Sequence, residues 1–65
     1  MIDYRNLSIG DKLVWVSEEP WGKVILKRFA IVTDINNDRA IAELSEDRSV
    51  HLWIDDDTAT DFHEA

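Results

Sequence analysis

The chain has 65 residues, no cysteine and a net charge of −7, from seven basic and fourteen acidic side chains. A chain of this length forms one small domain, and without cysteine neither a disulfide nor a thiolate metal site can stabilise it. The negative charge disfavours direct binding to nucleic acid or anionic lipid, and no apolar segment is long enough to span a membrane. Since the N-terminal residues contain no apolar signal core, we expect a single cytoplasmic domain over residues 1–65.

The first half of the chain alternates turn signals with apolar runs. Residues 1–9 form an entry segment, and Gly10-Asp11 is a turn signal before a strand predicted over residues 12–16. A polar loop over residues 17–22 holds the only proline. Residues 23–35 are apolar or β-branched at most positions, which predicts one long bent strand or two linked strands.

The block from Phe29 to Ile54 indicates a β-meander. Three apolar or alternating runs are separated by the polar turns Asn36–Asp38 and Ser45–Arg48, whose residues favour turn conformations. The last two runs predict strands over residues 39–44 and 50–54. A meander in so short a chain predicts an all-β fold, a small five-stranded barrel.

The acidic C-terminal region predicts one short helical turn. Thr58 is followed three residues later by Asp61, a spacing that can satisfy free N–H groups at the start of a turn. The run Asp55–Asp57 is superficially similar to a calcium loop, but Ala59 stands where an oxygen ligand is required and Thr60 where glycine is required. We therefore expect no metal and no cofactor.

The meander is apolar on both of its faces. If alternate residues of each strand face the core, then Ile31, Ile41 and Trp53 face the other side, where a sheet with one solvated face needs no apolar residues. One explanation is that terminal residues cover this second face. The residue that would cover it is Tyr4, Leu7 or Phe62. The other explanation is an exposed strip, Ile31/Ile41/Trp53, on which a partner or a second copy docks.

Several features of residues 9–54 recur together in one kind of small barrel. They are Gly10-Asp11 before Leu13-Val14-Trp15-Val16, a polar loop ending in Trp21-Gly22, Ala30-x-Val32-x-x-Ile35, Ala40-x-Ala42-x-Leu44, and a tight turn into Val50-x-Leu52-x-Ile54. This pattern resembles SH3-like small β-barrels, in the broad sense that includes Tudor and KOW-type modules. The resemblance implies a binding module. The ALYDY-type motif and the Trp-Trp pair are absent, so it does not imply binding of proline-rich peptides.

The titratable residues do not indicate an enzyme. His51 could pair with Asp55 or Asp56, and Glu18-Glu19 could supply paired carboxylates, but a Ser-His-acid arrangement is defined by geometry. A barrel of 65 residues has little volume for a pocket that excludes water. We therefore expect a non-catalytic protein.

Two tryptophans lie beside acidic residues in the sequence, Trp21 near Glu18-Glu19 and Trp53 near Asp55. In Tudor-like barrels, aromatic rings with a nearby acid form a cage for methylated lysine or arginine through cation–π attraction. An aromatic-cage reader is therefore one alternative function. A second alternative is a self-associating structural barrel whose Ile31/Ile41/Trp53 strip is a homodimer interface.

The leading hypothesis is an acidic protein-interaction module with a basic protein partner. In its sharper form the acids imitate the spaced charge of a DNA backbone and occupy the basic groove of a nucleic-acid-binding protein, as in small regulators or inhibitors from phages and mobile elements. The predicted partner-binding residues are Glu18, Glu19, Trp21, Ile31, Ile41, Trp53, Asp55, Asp56 and Asp57.

Overall fold

The computed structural model describes residues 2–18 and 25–65. It contains five strands and two single-turn 3-10 helices, so the predicted all-β fold is confirmed. The strands are β1 (Lys12–Glu18), β2 (Ile25–Ile35), β3 (Ala40–Leu44), β4 (His51–Ile54) and β5 (Phe62–Glu64), and the 3-10 turns are Tyr4–Asn6 and Ala59–Asp61. Within the described residues, no helix is long and apolar enough to cross a membrane.

The five strands form one antiparallel sheet in the order β4-β3-β2-β1-β5. The predicted meander is β2, β3 and β4. Strands β4 and β5 are the two edges of this sheet, so the described strands do not close into a barrel through hydrogen bonds. Ile54 of β4 and Phe62 of β5 nevertheless belong to the same buried cluster. The sheet therefore curls around a core that both edge strands share.

The strand boundaries differ from the predicted ones in informative ways. Strand β1 extends two residues further than predicted, because it pairs with β2 as far as Glu18. Strand β2 is a single strand, and its register with β3 shifts between Val32 and Asp34. Thr33 is therefore the extra residue of a β-bulge, a feature that bends a strand locally. Strands β3 and β4 each begin one residue later than predicted.

The last strand, β5, was not predicted as a strand. It pairs with β1 and places Phe62 opposite Trp15. The helical turn before it was predicted and is present as a 3-10 turn, but Thr58 makes no side-chain cap to it. Instead the Thr58 hydroxyl donates to the carbonyl of Trp53 at 2.7 Å and accepts from the amide of Asp55 at 3.0 Å. Thr58 thus ties the turn to the end of β4.

The core lies on one side of the sheet, here called the inner face. Three alanines at the centre of the sheet are fully buried, and these small side chains leave space for aromatic rings from the terminal segments. The buried cluster contains Tyr4, Leu13, Ala30, Val32, Ala40, Ala42, Ile54, Ala59 and Phe62. Leu7 packs against it. The expectation that Tyr4, Leu7 or Phe62 covers the opposite face is therefore wrong, because all three pack on the inner face.

The predicted turn at Gly10-Asp11 fastens the entry segment to the sheet. Gly10 has a φ of 96°, which only glycine adopts without strain. Its amide donates to the carbonyl of Val32 at 2.8 Å, and the Val32 amide donates to the carbonyl of Asp11 at 2.9 Å. The Asp11 carboxylate also accepts from the amide of Ser8 at 2.8 Å.

Two phenylalanines provide a matched test of this packing. Phe62 is 1% exposed and Phe29 is 62% exposed. Phe62→Ala is expected to lower the free energy of unfolding by about 3–5 kcal/mol, because it leaves a cavity between β5 and the core. Phe29→Ala is the control and is expected to change it by less than about 1 kcal/mol. Urea denaturation measures both; equal losses would contradict the assignment of the two faces.

Candidate protein-interaction surfaces

The side of the sheet opposite the core is called the outer face, and its residues follow from the strand register. One row across the sheet joins Trp53, Ile41 and Asp34. The next row joins His51, Glu43, Ile31 and Lys12. A third row joins Phe29, Val14 and His63, a fourth joins Lys27 and Val16, and the last pairs Ile25 with Glu18. The predicted residues Ile31, Ile41 and Trp53 therefore run diagonally across β2, β3 and β4.

The outer face exposes large apolar side chains. Trp53 is 56% exposed and Phe29 is 62% exposed, whereas Ile31 and Ile41 are half-buried. Phe29 was not predicted as a site residue. The signal was available, because Phe29 lies two residues before Ile31 in the same strand and therefore faces the same side.

A charged cluster stands at the centre of the outer face, beside the Ile31/Ile41/Trp53 strip. Glu43 accepts a hydrogen bond from Arg48 Nε at 2.8 Å, and its other oxygen lies 3.2 Å from His51 Nε2. The hydrogen bond from Arg48 holds the pKa of Glu43 below its ordinary value. His51 thus faces Glu43, and not Asp55 or Asp56, with which its place in the sequence would also have allowed it to pair.

One face of the Trp53 ring already carries a cation from the same chain. The guanidinium carbon of Arg39 lies 4.3 Å from the ring centroid, within the range of a cation–π contact. Asp38 lies 3.9 Å from Arg39 Nε. A methylated cation bound at Trp53 would therefore displace Arg39 or use the other ring face. For the other predicted cage, Trp21 and Glu19 lie outside the described residues.

The predicted acidic run divides into residues with different roles. One oxygen of Asp55 accepts from the amides of Asp57 at 2.9 Å and Thr58 at 3.1 Å, so Asp55 builds the turn after β4. Asp56 lies 3.8 Å from Arg5 in an exposed ion pair. The Asp57 side chain is exposed. Glu18, also predicted, is the last residue of β1.

A second candidate surface is a cleft of about 410 Å³ between the N-terminal segment, the start of β1 and β5. Asp3, Asp11 and Glu64 line it together with one basic residue, Lys12, and with Ile2 and Leu7 as apolar neighbours. We call it the acidic cleft. An adjoining cavity of about 290 Å³ shares Asp3 and adds Asp56 to the same surface. Sequence reasoning missed Asp3 and Asp11 because the pairing of β5 with β1, which brings Glu64 to them, was not predicted.

The charges are distributed unequally between the two surfaces. Among the outer-face residues whose side chains the structure describes, together with their ion-pair partners, four are basic and three are acidic. These residues are Lys12, Lys27, Arg39 and Arg48, with Asp34, Asp38 and Glu43. The described side chains of the outer face are therefore nearly balanced in charge, and one of them, Lys12, also lines the acidic cleft.

Neither a metal-ligand arrangement nor a comparison with known proteins assigns a further role to these surfaces. Within residues 2–18 and 25–65, no group of three or more His, Asp or Glu side chains is arranged to hold a metal ion. The chain matches no protein-family model, and neither curated proteins nor solved structures include a significant match.

The different roles of the neighbouring acids can be separated by mutation. Asp55→Ala is expected to lower the free energy of unfolding by about 1–2 kcal/mol, because two amides of the turn lose their acceptor. Asp57→Ala is the matched control and is expected to stay within about 0.5 kcal/mol of the wild type, since its exposed side chain makes no such bond. Urea denaturation at neutral pH measures both. An equal effect would show that Asp55 does not hold the turn.

Glu43 predicts a pH dependence of stability. Its folded-state pKa is lowered, so the ionised form stabilises the fold above the unfolded-state pKa of about 4.3 and this stabilisation is lost as the pH falls through the folded-state value. The free energy of unfolding of Glu43→Gln is therefore expected to fall less steeply than that of the wild type between about pH 5 and pH 3. Glu64→Gln, which removes an exposed carboxylate, is the control. Parallel curves for wild type and Glu43→Gln would contradict the prediction.

Proposed function

We propose that the protein is a non-catalytic interaction module that binds a basic protein through the acidic cleft and the adjoining Asp56. The observation that carries this proposal is the convergence of Asp3, Asp11 and Glu64 on one cleft from distant parts of the chain. Apolar Ile2 and Leu7, which line the same cleft, offer contacts to the aliphatic stems of lysine or arginine side chains.

The distribution of basic residues supports the same surface. Arg5, on the N-terminal segment, is already 3.8 Å from Asp56. Arg28, away from the outer face, lies 3.3 Å from Glu46. The cleft and the adjoining cavity are lined by four acids, Asp3, Asp11, Asp56 and Glu64, against two basic residues, Lys12 and Arg5. This excess of acid gives a negative field that attracts basic partners and accelerates their association. In its sharper form, the partner is a nucleic-acid-binding protein, because such proteins carry basic surfaces that neutralise phosphates.

The test compares two double variants that have the same net charge but have lost two acids from different surfaces. Asp56→Asn combined with Glu64→Gln removes two acids at the cleft, and Asp34→Asn combined with Asp38→Asn removes two acids at the outer face. Binding of a labelled oligolysine peptide is measured by fluorescence anisotropy at low and high salt. We expect the cleft variant to bind about five- to tenfold more weakly, with each exposed charge contributing up to about 1 kcal/mol. The outer-face variant is expected to bind like the wild type.

Three results would contradict the proposal. The first is no salt-sensitive binding by the wild type, which would remove the function. The second is equal weakening in both variants, which would mean that net charge alone attracts the peptide. The third concerns the partner: if the wild type and the cleft variant capture the same basic proteins from a native lysate at low salt, the cleft does not select them.

A further inference from the structure

The outer face of β2 carries opposite charges on the two sides of an apolar pair. From residue 27 onward its residues read Lys27, Phe29, Ile31 and Asp34 along the strand: one basic, two apolar and one acidic. The bulge at Thr33 creates this order, because simple alternation from Ile31 would turn Thr33 outward and Asp34 inward. With the bulge, Asp34 lies beside Ile41 on the outer face. A basic end and an acidic end thus flank a central apolar pair.

We propose that two copies of the chain pack outer face to outer face as a two-fold symmetric dimer. The two-fold axis lies in the plane between the two sheets and is perpendicular to the strands. It places β2 antiparallel to β2 of the second copy. Lys27 then faces Asp34 of the second copy, and Phe29 faces Ile31 of the second copy. The symmetry makes each contact twice, as a two-fold interface requires. Face-to-face sheets pack about 10 Å apart, a distance that these side chains fill.

The exposure of the outer face supports its burial in a dimer. Phe29 and Trp53 each expose more than half of their surface there, and the half-buried Ile31 and Ile41 lie between them. A connected apolar patch of this kind marks an interaction site. Small domains also bury a smaller share of their surface than large ones, so a second copy adds apolar burial that this chain lacks alone.

The distribution of charge favours a second copy over other occupants. A basic partner would meet Lys12, Lys27 and the arginines around Glu43 and Trp53. An acidic partner would be repelled by the net charge of −7. A second copy carries the same nearly equal numbers of basic and acidic side chains on its outer face. The two outer faces can therefore meet without strong repulsion, while the other acidic residues of each copy lie away from the contact.

The experiment exchanges the two charges that the dimer brings together. Lys27→Asp makes both ends of the β2 pattern acidic, and Asp34→Lys makes both ends basic. Sedimentation velocity over a range of concentrations measures the dimer dissociation constant, and circular dichroism checks folding. We expect each single variant to dimerise about 100-fold more weakly, because two symmetric contacts change from attraction to repulsion.

Two further samples restore the complementary contacts. The double variant Lys27→Asp/Asp34→Lys is expected to dimerise like the wild type. An equimolar mixture of the two single variants is expected to form a heterodimer, in which each substituted residue faces an opposite charge. Asp57→Lys, remote from the outer face, changes the net charge as much as Asp34→Lys does and is expected to leave the dimer intact.

The proposal has clear contrary outcomes. A wild type that stays monomeric up to about 1 mM would overturn it, because a dimer with a dissociation constant above this value is too weak for a specific interface. A dimer that neither single variant weakens would place the interface elsewhere on the molecule. Single variants that dissociate but fail to form the heterodimer would overturn the antiparallel arrangement of the two β2 strands. None of these outcomes depends on oligolysine binding, so this proposal and the one above fail independently.

Discussion

The fold depends on β2, which is the central strand of the sheet and is apolar on both sides. Its inner residues, Ala30 and Val32, are completely buried, and the strands on either side align their own buried residues to this pair. Because neighbouring side chains of a strand point in opposite directions, the same pairing that builds the core presents Phe29 and Ile31 on the outer face. The core and the exposed apolar surface are therefore two consequences of one register.

Much of the fold could be predicted from local sequence patterns. The meander was predictable because each of its strands alternates and each turn between them has residues that favour turns. Strand β5 was not, because three residues are too few for a periodic pattern and their place beside β1 follows from a long-range pairing. The predicted resemblance to SH3-like modules stays a prediction, since no comparison tests it.

The candidate surfaces were predictable only in part, for the same reason. Ile31, Ile41 and Trp53 were placed on the outer face correctly because alternation is a local property of a strand. The acidic run was interpreted as one surface, but Asp55 bonds its own turn while Asp56 belongs to the surface of the N-terminal segment. Neither fact follows from composition, because the direction of a carboxylate in a turn depends on backbone geometry. The acidic cleft itself needs contacts between both ends of the chain.

The two proposed surfaces meet at Lys12 and otherwise lie on different layers of the molecule, which makes them compatible. The N-terminal segment packs on the inner face through Tyr4 and Leu7, so the neighbouring Asp3 is directed away from the layer that holds Phe29 and Trp53. A dimer formed through the outer faces therefore leaves both acidic clefts open, one on each side. Two linked sites of modest affinity hold a partner with two basic patches more tightly than either site alone, provided that the patches match their separation. Many nucleic-acid-binding proteins are themselves two-fold dimers. Self-association would then set which basic partners the module selects, because spacing as well as charge has to fit.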